Sequence, residues 1–476
     1  MTTSRFDGFV HARDAQLVDA QGHPLLLRGM GLGNWLLPEG YMWKFGDEMS
    51  SPRQIEARIR DLVGSARASE FWHRYGDAFL TERDIARIAQ LGYDHVRLPL
   101  NSRSLIDDEG QLLESGFTRI DDLIGWCRSH GIWVLLDLHG APGGQTGTNI
   151  DDSPRGLPEL FMDERYRKLT IRLWEEIAGR YRTETVILGY DLLNEPLPNE
   201  WQHTYAAELA ELYRDLTTAI RGVDPDHLIV YEGAHWATNW SIFTEVWDAN
   251  SMLQFHRYWC APDESSIDEY LEARTRLGLP IYMGEGGENT PEWIYTAHRL
   301  YERHGIGWNF WPWKKLETLT SPLSIRTPPG WELISDPGAS PDPDEAWGVL
   351  VEFLAAVAID RCEERTDIVN AMFARAPLSL PAWGHDPSTS RSDRELAAIA
   401  APTMWHHTAG EPYTQEEALP LPMEEDTEAR FVLEARPEAW AFDSDTPDRF
   451  AARWADGHLV IRAVRPAVLR GVTVSA

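Results

Sequence analysis

Cysteine is scarce in this chain. Cys127, Cys260 and Cys362 are its three copies in 476 residues, too few and too scattered for a disulfide framework or a metal cage, so they read as free thiols. Basic residues are outnumbered, 44 Lys and Arg against 75 Asp and Glu. The formal charge of -31 argues against nucleic acid and against an anionic membrane surface as partners. A neutral ligand suits that field better. No apolar stretch is long enough to cross a bilayer, so no membrane insertion is expected. Met1-Thr2-Thr3-Ser4-Arg5-Phe6-Asp7 lacks the apolar centre of a signal peptide, which makes a cytoplasmic location the expectation. No internal repeat is visible, and nothing calls for a cofactor or a metal ion.

Hydrophobic residues, at 43%, are ample for a globular interior. The length exceeds a usual single core, so one large domain of about 350 residues plus a smaller one is expected. Tryptophan is over-used at 21 copies; most read as core, and only those beside other site candidates count as sugar-stacking faces.

From about residue 25 to 358, short apolar runs alternate with longer amphipathic ones, the pattern of parallel strands joined by crossover helices. The strand candidates are 25–32, 95–100, 132–138, 186–194, 227–232, 252–256, 280–285 and 306–311. Helical spacing recurs over 81–91, 119–130, 166–180, 205–221, 266–277, 291–304 and 345–358. Strand and helix pairs in this order predict an α/β fold, a (β/α)8 TIM barrel, with the fifth crossover the weakest. Residues 3–19 read as a hairpin under the barrel, and 51–75 as a helical excursion after the first strand. After Cys362 the texture turns rich in Pro and Asp. A loop at 410–427 then precedes alternating stretches at 430–434, 450–454 and 458–463, which predict a small C-terminal β-rich appendage. We therefore divide the chain at 1–375 and 376–476. The appendage has three uses open to it: binding carbohydrate, packing on the barrel, or serving as the contact of a homo-oligomer.

Barrel active sites form at the C-terminal ends of the strands, so a polar residue closing an apolar run carries weight. Nearly every run ends in one: Arg97; Asp137 and His139; Asn194 and Glu195; Glu232, then His235 and Trp236; His256 and Tyr258; Glu285; and Trp308, Trp311 and Trp313. Taken singly, a buried Arg or His is more often a satisfied structural partner. An ordered set at strand ends has no packing rationale. Its centre is a carboxylate pair, Glu195 and Glu285, and two carboxyl groups at a barrel mouth are what cleaving a sugar acetal needs.

Leu192-Leu193-Asn194-Glu195-Pro196, Met283-Gly284-Glu285, Val96-Arg97-Leu98-Pro99 and His256-Arg257-Tyr258 together resemble glycoside hydrolase family 5, the cellulase-type retaining barrels, over roughly residues 25–320. Arg28-Gly29-Met30-Gly31-Leu32-Gly33-Asn34-Trp35 and Asp137-Leu138-His139-Gly140-Ala141-Pro142-Gly143-Gly144-Gln145 are similar to the exo-β-1,3-glucanase branch of that family. The resemblance implies Glu195 as acid/base and Glu285 as nucleophile. It also implies Arg97, His139, Asn194, His256 and Tyr258 as residues that hold the reacting sugar or tune the carboxylates, Trp311 as the platform under it, and Glu39 as a grip on sugar hydroxyls. Arg97 is expected to favour ionised Glu285. The expected activity is that of a retaining β-glucosidase or exo-β-glucanase on a carbohydrate or glycoside substrate. β-Mannosidase, diglycosidase, glycolipid glycosidase and pentofuranosidase activities stay open on the same machinery.

Departures from the family pattern bear on the substrate. The loop at 144–152 places Asp151 or Asp152 as candidate hydroxyl contacts, with a solvated acidic loop the alternative. Glu288 is a candidate for the pocket wall, a Lys of the pair Lys314-Lys315 for reaching sugar hydroxyls, with a surface position the alternative, and 51–75 and 322–335 for closing one end of a cleft. Two rival classes remain. One is a metal-dependent hydrolase on Asp137, His139, His235 and His256, which show no paired-histidine spacing; the other is a non-catalytic sugar-binding barrel, which has no need of both glutamates.

Overall fold

The computed structural model describes residues 5–46, 49–388 and 420–476. Eight parallel strands close into a barrel: β1 (Arg28–Gly31), β2 (His95–Asn101), β3 (Trp133–Gly140), β4 (Ile187–Asp191), β5 (Leu228–Glu232), β6 (Ser251–Arg257), β7 (Ile281–Gly287) and β8 (Gly307–Trp311). Each expected run overlaps one of them, and β2, β3, β6 and β7 extend past the expected ends. β2 and β3 are buried along their whole length, as expected of strands covered on both faces. The helices Glu114–His130, Glu164–Tyr181, Ala206–Val223, Asp268–Leu277 and Pro291–Arg303 cross over the outside.

The fifth crossover departs from the repeat. Between β5 and β6 lies only Ala234–Ala237, and His235, Trp236 and Ala237 all have positive φ (52°, 53° and 64°), so this is a left-handed turn rather than a helix. The expected excursion after β1 is longer than read from sequence. Helix Pro52–Phe79 starts with a Ser51/Gln54 capping box and a proline in its first turn, and kinks at Gly64. It packs on Pro343–Ala356 through an aromatic cluster in which the Trp43 ring lies 5.2 Å from Tyr75 and 4.8 Å from Phe353. Arg58 donates to the carbonyls of Leu333, Ile334, Asp336 and Ala339, which joins the excursion to the 322–335 segment as one wall.

Below the barrel, His11–Arg13 and Gln16–Val18 form the expected hairpin, extended by a third strand, Pro24–Leu25; residues 3–4 lie outside the described ones. Leu17, Leu27, Trp133, Leu135, Leu188 and Tyr282 make a separate lower core there. In the C-terminal region, Gly471–Ser475 is the middle strand between Leu378–Pro381 and Ala439–Asp443. A second sheet orders Glu428–Val432, His458–Ala463 and Phe450–Ala455. The loop expected at 410–427 is corrected in part: Leu421–Met423 is a strand paired with Ala467–Leu469, while 410–419 lie outside the described residues.

Candidate active site

Chain direction brings the strand-end side chains together. Glu195 follows β4 with φ 44°, a left-handed conformation uncommon for a residue with a side chain, and it persists because its surroundings hold it. Its backbone N–H donates to Oε2 of Glu232 at 2.7 Å. Gln145 stitches the ends of β3 and β4, donating to the carbonyls of His139 (2.6 Å) and Asn194 (3.0 Å).

Glu285 sits at a register shift where β7 pairs with β6, opposite His256. Its neighbour Gly284 has to be glycine: a Cβ there would lie 1.9 Å from the Gln254 side chain. Glu285 accepts from Arg97 through Oε1 and from the Tyr258 hydroxyl through Oε2 at 2.7 Å. Glu195 Oε1 lies 2.6 Å from Nδ1 of His256, whose Nδ1 is 3.8 Å from Glu285. Carboxylate oxygens of Glu195 and Glu285 and a ring nitrogen of His256 all fall within 4.8 Å of one another.

Arg97 is fully buried and serves several partners: Asp191 through Nε at 2.8 Å, and Asn194 and Glu232 through Nη2 at 2.8 and 3.0 Å, with Asp137 3.2 Å away. The polar chain continues from Asn194 Nδ2 to His139 Nε2 at 3.2 Å, and from His139 Nδ1 to Asp137 at 2.7 Å. Burial lowers the His139 pKa to about 4, so the ring is neutral. With the proton on Nδ1, it receives Asn194 on Nε2 and fixes the amide orientation. The His139 ring stacks on Trp311 at 5.3 Å and 9°. Trp311 in turn rests over Gly31 and Gly33, where added Cβ atoms would come within 2.4 and 2.6 Å of the indole.

The titrations separate. Burial works against charge on Glu232, but His256, Arg97 and the Glu195 N–H outweigh it and hold the pKa at about 2. Burial likewise opposes protonated His256, yet Glu232, Glu285 and Glu195 hold its pKa well above the ordinary value. Burial raises Asp137 to about 8 against the pull of Arg97. Burial, with Glu195 adding to it, moves the Glu285 pKa up, although His256 and, as expected, Arg97 favour its ionised form.

Behind Trp311, its indole N–H donates to the Tyr41 hydroxyl at 3.1 Å, and Lys315 pairs with buried Glu288. Glu39 is 2% exposed, with Oε1 lacking a hydrogen-bond partner, and burial followed by the charges of Glu285, Glu288 and Glu195 raises its pKa well above the usual range.

Several sequence candidates lie elsewhere. Asp151 is fully buried, and its carboxylate accepts the N–H groups of Thr146 (2.7 Å), Gly147 (2.9 Å) and Ser153 (3.0 Å); it ties the loop rather than facing a sugar. Asp152 is bound to Arg103 (2.7 Å), Asn101 (3.0 Å) and the Arg53 N–H (3.1 Å), which uses both of its oxygens. Trp308 and Trp313 are core residues, donating to Glu302 and Asp84, and Lys314 is buried against Asp84. Trp236 is 36% exposed on the left-handed turn, outside the hydrogen-bonded network. The rival metal set does not converge; among the described residues the cluster able to hold a metal is Glu195, His256 and Glu285. Sequence reading passed over Asp191, Gln254 and Tyr41. Gln254 stands two residues before His256, on the same face of β6, and that period was the available signal.

A family model described as Cellulase (glycosyl hydrolase family 5) matches residues 58–317. A "Beta-xylosidase" from Phanerodontia chrysosporium is 33% identical over 348 residues, covering 65% of this chain and 71% of that protein. A "Probable glucan 1,3-beta-glucosidase A" from Emericella nidulans is 29% identical over 279 residues, covering 54% of this chain and 66% of that one. In fold, the chain is similar to an endogalactoceramidase crystal structure, with a TM-score of 0.54 at 17% identity over 98% of this chain and 100% of that one. A strand-end carboxylate pair on a closed eightfold barrel and a family match across more than half the chain lead to one assignment: this protein belongs to glycosyl hydrolase family 5 and is an O-glycosyl hydrolase.

Proposed function

We propose that the chain is a retaining β-glycosidase that removes one glycone by double displacement, of the β-glucosidase or exo-β-glucanase type. The observation that carries this reading is the approach of Glu195 and Glu285, whose carboxylate oxygens come within 4.8 Å. A retaining pair stands about 5–5.5 Å apart, whereas an inverting pair needs about 6.5–9.5 Å to admit a water.

Glu285 is the nucleophile. Arg97 and the Tyr258 hydroxyl each engage one of its oxygens, which orients the carboxylate for attack. Glu195 gives its proton to the leaving oxygen. The two carboxylates repel, so esterification of Glu285 removes a charge beside Glu195 and lets it act next as the base that activates water. Asn194, fixed by Arg97 and His139, presents its remaining N–H to the sugar 2-hydroxyl, a contact that strengthens in the transition state. The contacts among Tyr41, Glu288, Lys315 and Trp311, with buried Glu39 beside them, support a closed end to the cleft and so the removal of one glycone. Proton NMR of the first-formed anomer tests the mechanism: retention is expected, and an inverted product overturns it.

A β-xylosidase is the second reading, supported by the name of the Phanerodontia chrysosporium relative. Rates on aryl β-glucoside and aryl β-xyloside decide between the two.

A further inference from the structure

Lys314 and Lys315 are neighbours in sequence, yet the strand they share sends them to opposite faces. That short strand, Lys314–Leu316, follows β8 and pairs with Leu323–Ile325, and successive side chains of a strand point opposite ways. Lys314 turns to Asp84 in the core; Lys315 turns to Glu288, and both members of this second pair are buried. We propose that Lys315 and Glu288 are positioning residues: acting through Tyr41, they fix the Trp311 indole and so set how tightly the glycone is held. The proposal rests on the glycosidase reading, with Trp311 the platform under the sugar, and deepens it by two residues that act without touching the sugar.

The links run from cation to indole. Lys315 pairs with Oε1 of Glu288, Oε2 of Glu288 lies 3.4 Å from the Tyr41 hydroxyl, and that hydroxyl lies 3.1 Å from Nε1 of Trp311. Each of these links has one possible direction. A carboxylate only accepts and an indole N–H only donates, so Tyr41 gives its proton to Glu288 and receives the indole on its oxygen. Burial, with Glu288 and Glu39 adding to it, raises the Tyr41 pKa well above the ordinary value, so the hydroxyl keeps that proton. The Lys315 ammonium also lies 5.4 Å from the centre of the Tyr41 ring, a second hold on the same side chain.

The backbone is committed to the same arrangement. Glu288 has φ 46°, directly after Gly287 at 127°, so β7 runs out into two residues of positive φ. A residue with a Cβ seldom adopts that conformation, and where it does the surroundings hold it, often at a functional site. Here it places the Glu288 side chain, three residues beyond Glu285, against Tyr41 of the short helix Gly40–Trp43 that follows β1. The ends of β1, β7 and β8 are thereby joined behind one ring, while the His139 ring stacked on Trp311 ties that indole to Asn194.

The test compares the full chain with E288L/K315M, which removes both charges together and so leaves neither buried alone. Two readouts are taken: the Trp311 indole signal in a 1H–15N spectrum, assigned through W311F, and steady-state kinetics on aryl β-glucoside and aryl β-xyloside. The Trp311 signal is expected to shift in the double variant as it does in Y41F, and KM to rise about tenfold, the worth of one hydrogen bond, with kcat changed by no more than about twofold. If that variant does not fold, E288Q/K315M, whose amide oxygen still accepts from Tyr41, carries the same expectations at smaller size. An unmoved Trp311 signal, or an unchanged KM, in a folded double variant overturns the proposal. The spectral readout needs no turnover, so a wild-type chain silent on both glycosides counts against the proposed reaction and leaves the shift to decide the relay.

Discussion

The backbone N–H of Glu195 donates to Oε2 of Glu232 at 2.7 Å, tying a residue in left-handed conformation to a buried carboxylate at the end of the next strand. Glu232 also reaches Arg97 and, at 3.5 Å, His256. It therefore acts on the reaction through the groups it positions. E232Q keeps an acceptor but loses the charge. We expect kcat to fall by about 100-fold, the cost of small misplacement, with KM little changed and folding retained. Steady-state kinetics beside a thermal melt check this; an unaltered kcat would remove Glu232 from the machinery.

The pH dependence has a definite sign on each side. The folded pKa of His256 lies above its ordinary 6.5, so the stability it contributes is complete below that value and is lost as pH rises through the raised pKa. The Glu232 pKa, lowered from 4.5 to about 2, contributes stability that is present above 4.5 and is lost as pH falls through about 2. Chemical denaturation of wild type and H256N across pH should show a shallower alkaline loss in the variant. For activity, the Glu285 pKa is raised above 4.5, so the acid limb of kcat/KM should lie above 4.5 and move with substitutions at Tyr258.

Metal removal should leave the rate unchanged. Glu195, His256 and Glu285 are close enough to hold an ion, but the carboxylates around His256 keep it protonated, so it offers no lone pair. Rates before and after EDTA dialysis provide the check, and activity restored by an added divalent cation would favour the metal-dependent class.

Asp151 should behave as a loop tie. D151A strands the N–H groups of Thr146, Gly147 and Ser153, each costing about 1–3 kcal/mol when left unpaired and buried. A lower urea midpoint is expected, with D151N milder. A variant with unchanged stability and a raised KM would return Asp151 to the sugar.

The barrel was legible because each strand is a short apolar run with a polar residue at its end, and burial on both faces leaves few alternatives for such a run. That placement offered Arg97, His139, Asn194, His256, Tyr258 and Glu285, but it offered Trp308 and Trp313 equally with Trp311, and only the family resemblance singled out Trp311. Asp151 misled because an acidic residue in a glycine-rich loop reads alike whether it faces solvent, a sugar or its own backbone; only the three N–H groups turned toward it decide. Asp191 and Gln254 were passed over because their work is support, visible once Arg97 has a direction. The fifth crossover, expected to be the weakest, is only the turn at 234–237; what local sequence did not signal is that three non-glycine residues there are left-handed.

Arg97 neutralises parts of four buried carboxylates at once, Asp137, Asp191, Glu232 and Glu285. Anyone needing an inert but intact reference form for ligand work should alter position 285 or 195, where the lost group borders the cleft, and leave 97 alone. Without its guanidinium these carboxyl groups would lose the buried cation they share and would have to take up protons, so a silent assay would then report a rearranged and destabilised centre rather than a missing catalytic group.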